Sequence, residues 1–277
     1  MSGTLYVVGT PIGNLGDLSP RALEVLGSVD FIAAEDTRVT LKLLNHFGIK
    51  KPLISYFEHN LRQRGEDIIA RLLAGESCAI VTDAGMPCIS DPGEDLVALC
   101  ARQGIATAAV PGPSAAVTAL AVSGLPTSRF SFEGFLSTNK RSRQEHLQSL
   151  VDSPYTLIFY EAPHKLSGTL RDLLAVLGDR RVTLARELTK LHEEVWRTTL
   201  AQAAGHYAQN APRGEFVLVV EGAQPASPQD DISFDQAVEL VRALQRSEKL
   251  PASEAAKRIS RETGYKKGDL YKAALAD

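Results

Sequence analysis

The chain has 277 residues, 44 % of them apolar and 23 % charged, and a formal net charge of −3. At about 150 residues per domain this is room for two domains, or for one and a half with an appendage, and the balance excludes a polybasic nucleic-acid coat and a disordered tail. Cys78, Cys88 and Cys100 form no CxxC pair and fit free thiols, no apolar run reaches about 18 residues, and Met1 opens no basic signal segment, so a cytoplasmic protein that crosses no membrane is expected.

Leu5 to Val8 reads as a buried strand. Ser19-Pro20 then opens a helix, serine at the N-cap and proline at N1, closing near Gly27. Phe31 to Ala34 is a second strand, followed by a helix from Thr37 to Phe47 that Gly48 ends. Leu53 to Tyr56 is a third strand, and a helix follows it to about Ala74. Cys78 to Thr82 and Ala106 to Val110 are strands four and five, with a helix between them ending at Gly104. This regular alternation of near-continuous apolar strands with helices predicts a parallel sheet covered on both faces. Beyond Leu125 the strand candidates are 130–135, 155–160, 182–187, 194–199 and 216–220. Fewer helices separate them, which predicts a mixed or antiparallel second sheet. Residues 223–233 read as a Pro- and Ser-rich linker. Three short helical patterns, 234–246, 252–261 and 267–274, form a C-terminal appendage. The domains expected are thus 1–124, 125–222 and 234–277.

In open α/β sheets, ligands bind beyond the carboxyl ends of the strands. There the sequence places Gly9-Thr-Pro-Ile-Gly-Asn14, Glu35-Asp-Thr-Arg38, Tyr56-Phe-Glu-His-Asn60, Thr82-Asp-Ala-Gly-Met-Pro87 and Pro111-Gly-Pro-Ser114. No dinucleotide fingerprint and no P-loop is present. Pro11, Pro87, Pro111 and Pro113 each delete a backbone donor that a phosphate cradle would use. Such loops suit a flat base and a positive centre better than a pyrophosphate. S-adenosylmethionine has that character, as one nucleoside among others.

GTPIGNL, AEDTR, TDAGMP, PGPSA, EGF, FYEAPHKL, ARELTK and GEFVLVVEG follow one another from residue 9 to 222. Together they resemble the tetrapyrrole methylase superfamily of S-adenosylmethionine-dependent transferases. Within it they resemble the branch that methylates the ribose 2′-oxygen of a cytidine in the decoding centre of 16S ribosomal RNA. The resemblance implies two α/β domains with the cofactor in the cleft between them, and a homodimer. It carries over as cofactor contacts Pro11, Ala84, Gly85, Met86, Pro87 and Ile89, then Ser114 and Ala115, and from the second half Phe159, Ala185, Leu188 and Gly214. Met86 stands where threonine is more usual, and Gly9 where proline is common.

Methyl transfer to a ribose hydroxyl needs alignment and a proton acceptor. The candidates are Glu35, Asp36, His59, Glu161, His164 and Glu187. Asp36 with Arg38 could orient the ribose or only hold its loop, and Glu187 beside Arg186 and Lys190 could be an ion-pair network. His59 with Asn60, and His164, read as loop residues open to substrate. No His/Cys cluster has metal-ligand spacing, and no metal is expected.

Two basic stretches stand out as RNA contacts. Lys140, Arg141 and Arg143 read as a loop after a Gly134-Phe135 turn. Residues 242–272 hold nine Lys/Arg against four acids, Lys257, Arg258, Lys266 and Lys267 among them, in a pattern similar to a helix-turn-helix. A solvated hairpin is the plain alternative for this appendage. The other functions the sequence allows are a tetrapyrrole C-methyltransferase, for which the appendage has no use, and an RNA-binding factor without turnover.

Overall fold

The computed structural model describes residues 2–57, 59–224 and 232–276. The chain divides into two compact units, Met1–Gly222 and Ala223–Asp277. Most of the expected linker, residues 225–231, lies outside the described residues.

β1 (Thr4–Val8), β2 (Phe31–Ala34), β3 (Leu53–Ser55), β4 (Cys78–Val81) and β5 (Ala106–Val110) form one parallel sheet in the order β3-β2-β4-β1-β5. All four residues of β2 and all four of β4 are buried, which is why these strands read as unbroken apolar runs. One face packs Leu5, Phe31 and Ile80 against Ile68 and Leu72 of α3 (Leu61–Leu73) and Leu96 of α4 (Glu94–Arg102). The other packs Val8, Ile32 and Val81 against Leu26 of α1 (Pro20–Ser28) and Leu44 of α2 (Thr37–His46). Ser19 Oγ accepts from Ala22 N at 3.1 Å and caps α1, with Pro20 at the first helical position as its sequence predicts.

The second sheet is mixed. β6 (Phe130–Phe135) runs parallel to β7 (Thr156–Glu161). β10 (Phe216–Val220) pairs antiparallel with β7 and β8 (Arg181–Arg186), and β8 antiparallel with β9 (Glu194–Thr199). Three helices lie between its strands: α6 (Lys140–Ser149), α7 (Pro163–Leu177) and α8 (Leu200–Gln209). The structure departs from the sequence reading at three places. Lys140, Arg141 and Arg143 belong to the first turn of α6, which Asn139 caps, not to a loop. Gly134 and Phe135 lie inside β6, next to an irregularity of register. His164 is the second residue of α7.

One face of this sheet carries a core of Leu157, Phe159, Leu184 and Leu218 under α7 and α8. The opposite face is covered by α5 (Ala115–Ser123): Ala116, Ala119 and Leu120 pack on Ile158, Ala185, Val217 and Val219. α5 follows β5 in the chain yet lies on the second sheet. That crossover joins the two sheets into one unit, and residue 124 falls at the end of a helix docked on the second sheet.

The second unit holds α9 (Phe234–Glu248), α10 (Ala252–Thr263) and α11 (Lys267–Ala274) around Ala237, Val241, Ala255, Ile259 and Leu270. Ser233 and Gln236 close a capping box on α9.

Candidate active site

The carboxyl edge of the first sheet is knitted together by backbone. Thr10 N donates to Gly85 O at 2.9 Å and Gly85 N returns a bond to Thr10 O at 3.1 Å, fixing the loop after β1 to the loop after β4. Gly9 and Gly112 cross so closely that a Cβ on Gly9 would lie 2.7 Å from Gly112 Cα and 2.7 Å from Met86 Sδ. Gly13 meets the loop after β8 in the same way, its missing Cβ only 2.5 Å from Lys190 Cγ. The two sheets thus face each other across a cleft closed at one end by the loop after β1.

That cleft has a volume of about 420 Å³ and is bounded by both sheets, within the roughly 300–1,000 Å³ range of small-molecule sites. Ile12, Met86, Ala115, Ala185, Leu188 and Val217 give it apolar walls. Tyr160 spans it, accepting from Ala116 N at 3.1 Å at the start of α5. Its flanking loops are strained. Cys88 and Ser90 on one side, and Glu187 and Thr189 on the other, have left-handed φ values of +70°, +66°, +50° and +65°. Such conformations cost of order 1–3 kcal/mol each and gather at functional sites.

Three carboxylates, Glu35, Asp83 and Asp91, line the first-sheet side. Thr82 Oγ1 donates to Glu35 Oε2 at 2.6 Å, and Asp83 Oδ1 accepts from Asp36 N at 3.2 Å. Burial pushes the Asp91 carboxyl up to about 6; the charges of Glu35 and Asp83 add to it and the Thr82 hydroxyl opposes it. Burial, then Glu35, also raises Asp83. The negative charge gathered here makes the cleft attractive to a cation. Among the described residues no group of three or more His, Cys, Asp or Glu side chains is arranged to hold a metal ion.

The cleft brings together eight of the twelve residues expected at the cofactor: Ala84, Gly85, Met86, Ile89, Ser114, Ala115, Ala185 and Leu188. The other four lie elsewhere. Pro11 lines a neighbouring cavity, and Pro87 is buried behind the loop. Phe159 belongs to the core on the far face of β7, and Gly214 sits beside Glu187 before β10. The alternation of a strand explains Phe159: its neighbour Tyr160 faces the cleft instead. Asp83, Asp91, Tyr160 and Val217 line the cleft as well, beyond the residues expected from the sequence. The two aspartates stand within or just after the TDAGMP motif, and side-chain alternation along β7 and β10 marks the other two.

Asp36 and Arg38 form a clamp at the start of α2, outside the cleft wall. The Asp36 carboxylate caps Arg38 N at 2.8 Å and takes Arg38 Nη2 at 2.6 Å. The Arg38 guanidinium, then its backbone N–H, holds Asp36 down at about 2. Glu187 Oε1 accepts from Glu215 N and from Lys190 Nζ, both at 3.0 Å, and these bonds, the backbone one first, keep its carboxyl below the usual range. Asn60 ties its own turn together through Phe57 N and Ser55 O, with His59 edge-on to Phe57. Arg141 pairs with Glu145, and Arg143 with Asp172 at 2.7 Å. Glu161 takes the Thr169 hydroxyl and Ala162 N, anchoring α7, and His164 is exposed. In the second unit Arg258 pairs with Glu248, whereas Lys257, Lys266 and Lys267 make no ion pair among the described residues.

Residues 4–204 match the family model of the tetrapyrrole (corrin/porphyrin) methylases. The chain belongs to this methylase family. A Synechocystis protein named "Ribosomal RNA small subunit methyltransferase I" is 50 % identical over 277 residues, 99 % of this chain and 98 % of its own length. A Thermotoga maritima protein of the same name is 50 % identical over 222 residues, 80 % of this chain and 100 % of its own length. Among solved structures, uroporphyrin-III-C-methyltransferase from Thermus thermophilus superposes with a TM-score of 0.56 at 22 % identity, over 78 % of this chain and 94 % of that one. At that identity the likeness is one of fold. No helix among the described residues of this methylase is long and apolar enough to cross a membrane.

Proposed function

We propose that this methylase transfers a methyl group from S-adenosylmethionine to the ribose 2′-oxygen of a cytidine in 16S ribosomal RNA of the small subunit. The observation that carries the reading is the 50 % identity, end to end, with a relative named for ribosomal RNA methylation. The cleft fits the donor chemically. Glu35, Asp83 and Asp91 present negative charge to a sulfonium and an ammonium group, while Ala115, Ala185, Leu188 and Val217 offer apolar surface to a flat base. When bound, S-adenosylmethionine supplies a methyl group activated by positively charged sulfur.

The chain's own part is alignment and deprotonation. Asp91, with its carboxyl at about 6, is ionised at neutral pH and still basic enough to accept the proton of the attacking hydroxyl. Asp36, held at about 2, is the weaker base, and its clamp on Arg38 directs a guanidinium, 86 % exposed, toward incoming phosphate. Glu187 holds the loop that carries Leu188. RNA is further gathered by Lys140 and Arg141 on α6 and by Lys257, Lys266 and Lys267 of the second unit. The protein acts as a homodimer in the cytoplasm, where its three free cysteines stay reduced.

Labelled-methyl incorporation into small subunits from cells lacking the gene, followed by nucleoside mapping, tests this. A single 2′-O-methylcytidine is expected. Label entering a tetrapyrrole and not RNA would overturn the reading.

A further inference from the structure

Beside the donor cleft lies a second cavity of about 380 Å³, between the loop after β1 and one face of α2. The two share Thr82 and Asp83 as a common ridge. We propose that this second cavity holds the base of the target nucleotide, flipped out of its RNA, while the ribose lies across the ridge. The inference rests on the RNA-methylation reading and adds to it the part of the chain that receives the base.

Three observations carry it. First, Pro11, Leu15, Val39 and Leu43 line the cavity; they are flat or branched apolar groups of the kind that cover the faces of an extruded base. Second, Thr40 Oγ1 is buried, its residue 3 % exposed, and has no hydrogen-bond partner among the described residues. A buried hydroxyl without a partner is costly to keep, and its residue lines a cavity large enough for a nucleobase, whose polar edge would supply the missing bond once the side chain turns toward it. Third, the i,i+4 and i,i+3 spacing of Val39, Leu43 and His46 sets these three on one face of α2, with Thr40 at its buried flank and Lys42 at its exposed one, and all five line the cavity. Base-binding surface, one polar contact and a cation for the adjoining phosphate therefore come from a single helix. The neighbouring clamp of Asp36 fixes where that helix begins.

The shared ridge gives the placement its consequence. A ribose reaching the donor from this side turns its hydroxyls toward Asp83 and Asp91, and its base can only go to the other side of Thr82. Base identity would then be read at Thr40, and the proton would leave toward Asp91.

Two variants test this, each assayed for S-adenosylmethionine affinity by calorimetry and for labelled-methyl transfer to small subunits bearing cytidine or uridine at the mapped position. Val39→Trp fills the mouth from a half-exposed position and leaves the core untouched. Thr40→Val removes a hydroxyl that has no protein bond to lose. Val39→Trp is expected to lower kcat/KM about 100-fold, with donor affinity within about twofold. Thr40→Val is expected to cost about tenfold on cytidine and to narrow the preference over uridine. Wild-type rates and preference in both variants, which would mean the cavity holds solvent only, would overturn the proposal. So would a loss of donor affinity matching the loss of rate, since the cavity would then belong to the donor. If the unaltered protein transfers no methyl to subunits, the functional reading itself fails, and the role of the cavity with it.

Discussion

Asp91 is the residue at which chemistry and stability oppose each other. Its carboxyl sits at about 6 in the folded chain against 3.8 as its ordinary value, so between about pH 4 and 6 the folded state binds more protons than the unfolded one. The contribution of this group to stability is therefore lost as pH rises through that window, and at neutral pH the buried charge is a burden. Two pKa units correspond to about 2.7 kcal/mol, and solvent screening of a partly open carboxylate reduces this to about 1 kcal/mol. Asp91→Asn should accordingly raise the midpoint of urea unfolding at pH 7 while slowing methyl transfer by about 10²- to 10⁴-fold. The wild-type rate should fall below about pH 6, and that acid limb should vanish in the variant. A limb that persists would give the proton to another group. Gly9 and Met86, the two departures from the family pattern, prove to be neighbours. A Cβ at position 9 would meet both the Met86 sulfur and the Gly112 backbone, so a methionine can stand at 86 because nothing projects from 9. Gly9→Ala should cost about 1–3 kcal/mol by overpacking. Adding Met86→Thr should recover only part of that in thermal denaturation, because Gly112 remains in the way.

At the scale of elements, the first sheet was legible because β2 and β4 are buried throughout and their helices begin with caps such as Ser19 and Asp36. The second half was harder for identifiable reasons. α6 buries only Leu147, so its sequence carries no apolar stripe and its charges resemble a loop. α7 does carry a stripe, through Leu166, Leu170, Leu173 and Leu177, but opens on Pro163 and His164, which look like a turn. The loops that line the cleft after β4 and β5 were readable from motifs because each motif is one contiguous turn. Asp91 and the face of α2 were not, since their role comes from what the fold sets opposite them. α5 makes a prediction of its own. Apart from Thr118 and Ser123 it is apolar all round, and its outward Val117 and Val122 are 48 % and 38 % exposed. A helix with no polar face is normally buried, so we expect a second copy of the chain to cover this one. Light scattering should give about twice the 29.9 kDa chain mass, and Val117→Glu with Val122→Glu should return it to one chain. A wild-type monomer would remove α5 from that role.

At the scale of the whole molecule, the proposed chemistry and the proposed capture of RNA fall in different units. Every residue lining the donor cleft lies before residue 222, and the Thermotoga relative of the same name is matched over its full length by 222 residues of this chain, leaving unmatched a stretch the size of the second unit. That unit, over 232–276, carries nine basic residues against six acidic ones. Arg242, Arg246 and Arg258 are tied to Glu239 and Glu248, whereas Lys249, Lys257, Arg261, Lys266, Lys267 and Lys272 make no ion pair among the described residues. Its own core of Ala237, Val241, Ile259 and Leu270 holds these lysines and Arg261 on a preformed helical surface, so binding a polyanion need not order the unit first. Phosphate contacts made this way release counterions and are read as a salt slope. A chain ending at Gly222 should therefore bind S-adenosylmethionine within about twofold of the full chain and keep its maximal transfer rate, while its KM for small subunits rises at least about tenfold and the dependence of binding on salt flattens. Loss of donor affinity on truncation would make the appendage a support of the cleft, and an unchanged KM and salt slope would leave RNA capture to the first unit alone.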